Sequence, residues 1–176
     1  ALGGGTGVEI AWLAGGCGRG GEQGLRGLMG VGLDSLTGGG AEIFAERVRR
    51  KISHDKCGSD RYLAIHRTAH RLGLRTNVTM LYGHIETPED RVDHLLRLRG
   101  LQDDTRGFQT FIPLAFHPDN TAMQHVGTTT GFSDIRELAV SRLIRDNIPH
   151  TQAHWVMLPP PISKTSRPLG PHRLDA

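Results

Sequence analysis

From residue 31 onward the chain alternates between two hydrophobic periods, and that alternation constrains its fold more than any other feature. Short runs rich in β-branched and aromatic residues occur at Val31–Leu36, Thr76–Tyr82, Phe108–Phe116 and Thr151–Leu158, with Val8–Ala14 as a weaker candidate. Each reads as a strand. Between them lie segments whose apolar residues recur every three or four positions, the period of a helix with one buried face. Strands alternating with helices of roughly a dozen residues give βα units and a parallel sheet. Right-handed crossovers then put every strand C-terminus on one edge of that sheet. The expected class is α/β.

The helices can be placed by their stripes and caps. Residues 41–53 carry Ile43, Phe44, Val48 and Ile52 on one side. A second helix takes Ser59 as its N-cap, buries Tyr62, Ile65, Ala69 and Leu72, and stops at Gly73,. A third opens with Thr87 as cap, Pro88 at the first position and Glu89 and Asp90 in the first turn, where carboxylates oppose the helix dipole,. Its inward residues are expected to be Val92, Leu95, Leu96 and Leu98. A fourth starts at Ser133 and is expected to bury Ile135, Leu138, Ala139 and Leu143.

Composition separates this middle from the two ends. Of 24 glycines, 16 fall in residues 1–40, and of nine prolines, five fall in residues 159–176. The expected organisation is a glycine-rich start over 1–30, an ordered domain over 31–158 and a proline-rich irregular tail over 159–176. The chain, which begins at Ala1, reads as a fragment. A chain of 176 residues can still bury about 70% of its unfolded surface,. No apolar run nears the roughly 18 residues of a membrane span, and no signal peptide is visible. With 21 basic and 18 acidic residues the charge is too balanced to argue for nucleic acid,. Two cysteines, Cys17 and Cys57, exclude a disulfide scaffold, so a reduced, cytoplasmic setting is expected,.

Three loops on the strand-end edge are polar: Thr37 to Glu42, Gly83 to Thr87, and His117 to Thr121. In a barrel or a doubly wound sheet ligands bind at this edge, so the loops suggest an active-site rim. The plain alternative is that they only cap helices and make turns. Other patterns are weaker. Gly16 to Gly21 matches the dinucleotide pattern G-x-G-x-x-G, yet Gly24, Gly27 and Gly30 would each cost a following helix about 1 kcal/mol,. His66 and His70 have metal-ligand spacing, but Arg67 stands where a zinc protease has glutamate, and His66 reads as a helix-surface residue,. Neither cysteine has a second cysteine nearby, and Cys57 reads as an incidental loop thiol. No G-x-S-x-G elbow occurs,. The basic run Arg47 to Lys51 reads as a solvated helix face, with an anionic partner as the alternative. His84 and His117, from successive strand ends, leave a metal-dependent hydrolase as a further reading, to be tested by bound zinc.

Gly32-Leu33-Asp34-Ser35-Leu36-Thr37-Gly38-Gly39-Gly40-Ala41-Glu42-Ile43-Phe44 resembles a known enzyme family. The likeness continues through His66-Arg67-Thr68-Ala69-His70, Thr76 to Thr87, Gly107-Phe108, Phe111 to Pro118, Asn120-Thr121, Ala139 to Leu143, Asn147, Pro149-His150 and Trp155, with Val8 to Ala14 as an earlier island. Together these segments resemble aminofutalosine synthase, a radical S-adenosylmethionine enzyme of the futalosine route to menaquinone. Two siblings share some elements: cyclic dehypoxanthinylfutalosine synthase and the tyrosine-using subunit of deazaflavin synthase. The stretches Gly38–Phe44 and Phe111–Pro118 favour the first family.

The resemblance implies a partial TIM-type (β/α) barrel of the radical S-adenosylmethionine superfamily, with about five parallel strands where a closed barrel has eight, and with helices outside. It implies a [4Fe-4S] cluster, a reductant for that cluster, and S-adenosylmethionine as a consumed co-substrate. The 5′-deoxyadenosyl radical would add to 3-[(1-carboxyvinyl)oxy]benzoate, and loss of the carboxyl group would give aminofutalosine. It further implies cofactor contacts at Glu42, Thr79, Tyr82, Gly83 and Glu86, and substrate contacts at Asn77, His84 and His117. Catalytic residues are not assigned, and no metal ligand is expected in this chain. The cluster motif C-x-x-x-C-x-x-C and the glycine-rich methionine-binding segment are absent, so the chain by itself is expected to be inactive. A non-catalytic remnant that binds through the same loops is the alternative from a different class. The partners implied are small molecules, with neither nucleic acid nor membrane.

Overall fold

The computed structural model describes residues 6–10 and 21–153, together with the backbone of 171–174. The elements, in order, are α1 (Gly21–Gly30), β1 (Ser35–Leu36), α2 (Glu46–Ile52), α3 (Ser59–Arg71), β2 (Arg75–Tyr82), α4 (Pro88–Thr105), β3 (Phe108–Ala115), a short 3-10 turn (Gln124–Val126), α5 (Gly131–Ile144), β4 (His150–Ala153) and β5 (Pro171–Leu174). The five strands form one sheet in the order β1-β2-β3-β4-β5, and every neighbouring pair is parallel. A parallel sheet whose spatial order equals its chain order is one side of a (β/α) barrel. The expected class holds.

The period of two along β2 and β3 decides what each face does. Val78, Met80 and Tyr82 of β2, with Phe111 and Ala115 of β3, point into a core closed by Val48, Tyr62, Leu95, Leu98 and Leu101 from α2, α3 and α4. Full burial of a side chain such as Leu95 stabilises by about 1.5–3 kcal/mol,. The opposite face pairs Asn77 with Thr110, Thr79 with Ile112 and Leu81 with Leu114. Apart from buried Thr79, these residues are only half-buried. The helices therefore cover one face, and the concave face stays partly open.

Local chemistry explains the helix limits. Thr87 caps α4: its hydroxyl accepts from the Asp90 amide while the Asp90 carboxylate accepts from the Thr87 amide, and Pro88 follows,. After α3, Gly73 takes φ +88°, the left-handed stop expected of it,. The N-cap of α5 is Thr130 rather than Ser133, which instead completes a capping box with it.

Other expectations are corrected. The glycine-rich segment contains α1, because Leu25 is fully buried and its neighbours Leu28 and Met29 pack with it against Ile65 and Ala69 of α3. Burial on one face outweighs poor propensity. Residues 7–10 are helical, so Val8–Ile10 are not a strand, and the rest of that candidate lies outside the described residues. The first strand of the domain shrinks to Ser35–Leu36, since Gly32 turns with φ +101° and Val31 is exposed. The helix expected over 41–53 starts only at Glu46; before it, the chain runs irregularly through Glu42 at φ +46°. Arg49, expected on a solvated face, is 2% exposed and donates to the carbonyls of Gly40, Ala41, Ile43 and Cys57. His66, expected at the surface, is fully buried.

Two helix faces also differ. On α4, Leu95 and Leu98 are buried, but Val92 and Leu96 are exposed and His94, Leu101 and Gln102 take the inner positions. On α5, Leu143 is 78% exposed, and Asp134, Glu137, Leu138 and Ser141 face inward. β4 covers His150–Ala153; Met157, Leu158 and the remaining proline-rich residues before 171 lie outside the described residues.

Candidate functional site

Three loops meet at the C-terminal edge of β1, β2 and β3, as the strand order requires. The first, Thr37 to Ala45, is fastened to the sheet by its backbone. The Gly38 carbonyl accepts from the hydroxyls of Tyr62 and Thr79, each at 2.8 Å. A Cβ on Gly38 would stand 2.7 Å from the Val78 backbone, so a glycine is required for this close approach,. Further along, the Glu42 carbonyl accepts from the Leu81 amide at 2.8 Å, and the Glu42 carboxylate pairs with Lys56.

The second loop turns at Gly83, with φ +88°. The Glu86 carboxylate closes that turn on itself, accepting from the Gly83 amide at 2.6 Å and the His84 amide at 2.8 Å. Arg91, one turn into α4, donates to the same carboxylate at 2.8 Å. Burial alone would raise the Glu86 carboxyl, but the His84 ring and the Gly83 and His84 amides outweigh it and hold it at about 2,. His84 is enclosed: Nδ1 lies 2.9 Å from Glu86 Oε2 and Nε2 lies 3.1 Å from the Leu81 carbonyl.

The third loop follows β3. Its Phe116 amide donates to the Tyr82 carbonyl at 2.8 Å, continuing the pairing beyond the strands. The Thr129 methyl leans over Gly83, 2.2 Å from where a Cβ would sit. Gly83 is thus where the second and third loops touch.

The residues expected at the site fall into three groups. Asn77 and Thr79 lie on the partly open face, with the Thr79 hydroxyl donating to Gly38. Glu42, Gly83, His84 and Glu86 lie in the rim loops, and His117 follows β3 on the exposed side. The Tyr82 side chain points the other way, its hydroxyl donating to Asp134 Oδ1 of α5 at 3.0 Å, so at the rim it presents backbone. Burial pushes its phenol well above the ordinary range, with Asp134 adding to the shift.

Sequence reasoning missed Arg91, Asp134 and Glu137. Arg91 bridges Glu86 and Glu137, the latter at 3.0 Å. Asp134 and Glu137 are spaced three apart on α5, a spacing that puts them on one face beside the expected inward residues Ile135 and Leu138,.

The remaining candidates sit elsewhere. His66 and His70 flank Thr76 at the other end of β2, where Thr76 Oγ1 lies 3.0 Å from His66 Nδ1 and 2.8 Å from His70 Nε2. Burial lowers both rings, to about 3 and about 4, as befits neutral core histidines,. A cavity of about 490 Å³ lined by Arg67, His70, Arg71, Asp104 and Thr105 opens at that end, and another of about 400 Å³ is lined by Arg75, Gln102, Asp103, Arg106, Asn147 and Pro149. Both of these open at the edge opposite the rim loops. In a barrel the chemistry belongs to the strand C-termini, and we place the site there. Gly16-Cys17-Gly18 and the rest of the dinucleotide-like stretch before Gly21 lie outside the described residues. Among the described residues no three His, Cys, Asp or Glu side chains are placed to hold a metal ion. No helix there is long and apolar enough to cross a membrane.

A sequentially ordered parallel sheet with three loops at its C-terminal edge defines the class by architecture: one side of a (β/α) barrel,. No family model matches the chain. It is 54% identical over 155 residues, 86% of its length, to an aminodeoxyfutalosine synthase of Thermus thermophilus, and 49% identical over 140 residues, 74% of its length, to one of Streptomyces coelicolor. A 5-amino-6-(D-ribitylamino)uracil–L-tyrosine 4-hydroxyphenyl transferase of Methanopyrus kandleri is 42% identical over 86% of the chain and 42% of its own length. The chain is a relative of the aminodeoxyfutalosine synthases. It spans 42% of the Thermus protein and 36% of the Streptomyces protein.

Proposed function

We propose that this chain forms one side of the barrel of an aminofutalosine synthase, and that its rim receives the nucleoside half of S-adenosylmethionine. The observation that carries the reading is the 54% identity with the Thermus protein, against 42% with the tyrosine-using transferase over a similar share of the chain. The reaction so proposed joins that nucleoside to 3-[(1-carboxyvinyl)oxy]benzoate in the cytoplasm, on the route to menaquinone, with a reductant as partner.

In this reading each rim residue has a physical task. Gly83 lets backbone approach the nucleoside, its φ of +88° being a conformation that glycine takes without strain,. Tyr82 contributes main chain beside it, and Glu86 fixes the turn. Thr79 and Asn77 offer polar atoms from the sheet face, with Glu42 across from them. His84, whose ring is enclosed, presents backbone toward the place of the benzoate substrate, with His117 beyond it. The protein's work is to bind, orient and exclude water while the bound group carries out the difficult chemistry.

The iron–sulfur cluster does not fit this chain. A cubane needs three or four thiolates, and the sequence has two cysteines. Burial pushes the Cys57 thiol up, away from the thiolate form that a metal ligand needs,. Ligands for the cluster would come from another part of a whole enzyme.

The test is a hybrid in which this chain replaces the matching segment of the Thermus protein. Supplied with S-adenosylmethionine and both possible acceptors, the hybrid should form aminofutalosine. A folded hybrid that makes the tyrosine-derived product, or neither product, overturns the reading.

A further inference from the structure

Three buried carboxylates, Glu86, Asp134 and Glu137, converge on the outer side of the rim, and Arg91 pairs with two of them, Glu86 and Glu137. Arg91 donates through Nε and Nη2 to Glu86 Oε1 and through Nη1 to Glu137 Oε2. Its guanidinium also lies 5.7 Å from the centre of the Tyr82 ring, whose hydroxyl holds Asp134. Glu86 shapes the turn at Gly83, while Glu137 belongs to the helix whose Thr130 cap anchors the loop carrying Thr129. The two loops meet at Gly83 and Thr129. One planar, forked cation thus ties the supports of both loops together, a geometry lysine cannot reproduce.

We propose that Arg91 and Glu137 are positioning residues that set the separation of the Gly83–Glu86 turn from the Thr129–Thr130 segment, and so the width of the rim opening. This rests on the reading of that rim as a nucleoside site. Neither residue needs to touch the ligand. Each acts through a loop: Arg91 through Glu86, and Glu137 through the start of α5.

Amide hydrogen exchange on this chain tests the clamp directly. Arg91→Lys keeps the charge and loses the fork, so exchange should rise at least tenfold at Gly83 and His84 and also at Thr130 and Ser133. Glu137→Gln releases only the second loop, so the rise should be confined to Thr130 and Ser133. A rise at Gly83 and His84 alone in Arg91→Lys, or an equal rise across all core amides, overturns the proposal. A titration with 5′-deoxyadenosine, read at the Gly83 amide, then asks about positioning. Glu137→Gln should bind at least fivefold more weakly at an unchanged thermal midpoint, and equal affinity would overturn the positioning role. If the unaltered chain shows no shift at the rim, the nucleoside reading fails, while the exchange pattern still decides whether Arg91 joins the loops.

Discussion

At Gly38 and at three buried histidines, single side chains carry consequences that can be measured. Gly38 has the Val78 backbone where its Cβ would be, and backbone cannot swing aside as a side chain can. Gly38→Ala should therefore cost about 3 kcal/mol in a urea titration, the upper end for overpacking; a loss below about 0.5 kcal/mol would show that the loop is not fastened as described. His66, His70 and His94 are held neutral, burial lowering them to about 3, 4 and 3. A depressed histidine leaves the unfolded chain binding more protons between its folded value and about 6.5, so stability falls as pH drops through that window. Glu86, also depressed, adds a loss that begins lower, below about 4.3,. The urea midpoint should be level above about pH 7 and decline steadily from about pH 6.5 to pH 4.5. A midpoint unchanged down to pH 5 would contradict the burial of these rings.

Among the elements, α1 separates what the sequence makes legible from what it does not. Gly24 and Gly27 argue against a helix, yet α1 forms because Leu25 finds a partner surface on α3 that no local reading can supply. Their Cβ positions meet nothing within 4 Å, so Gly24→Ala should raise stability by about 1 kcal/mol; a loss of stability would place that face against another part of the chain. Strands β2 and β3 and the start of α4 were readable, because a period of two and a Thr-Pro-Glu-Asp cap are local signals. The inner faces of α4 and α5 were readable only in part: Leu95, Leu98 and Leu138 are buried as expected, but the polar residues beside them were not foreseen. His94 there stacks on Phe44 at 3.9 Å and bonds the Thr79 carbonyl, while Asp134 and Glu137 answer Tyr82 and Arg91. Such faces are polar because their partners are polar, and the partners lie about 15 to 50 residues away in the chain. At the rim the loops themselves were visible as Gly, His and acid clusters; the arginine that ties two of them was not.

The whole molecule presents two edges with opposite character. At the strand N-termini lie the arginine-lined cavities and the His66–Thr76–His70 contacts; at the C-termini lie the glycine turns and the Glu86–Arg91 network. Two cavities mark the first edge, and the direction of the parallel strands favours the second,. Mapping 5′-deoxyadenosine on the amide spectrum of this chain decides between them most directly. Shifts are expected at Gly39, Glu42, Asn77, Thr79 and Gly83, with none at His70, Arg75 or Arg106. Shifts gathered around Arg75 and Arg106, with the rim silent, would contradict it.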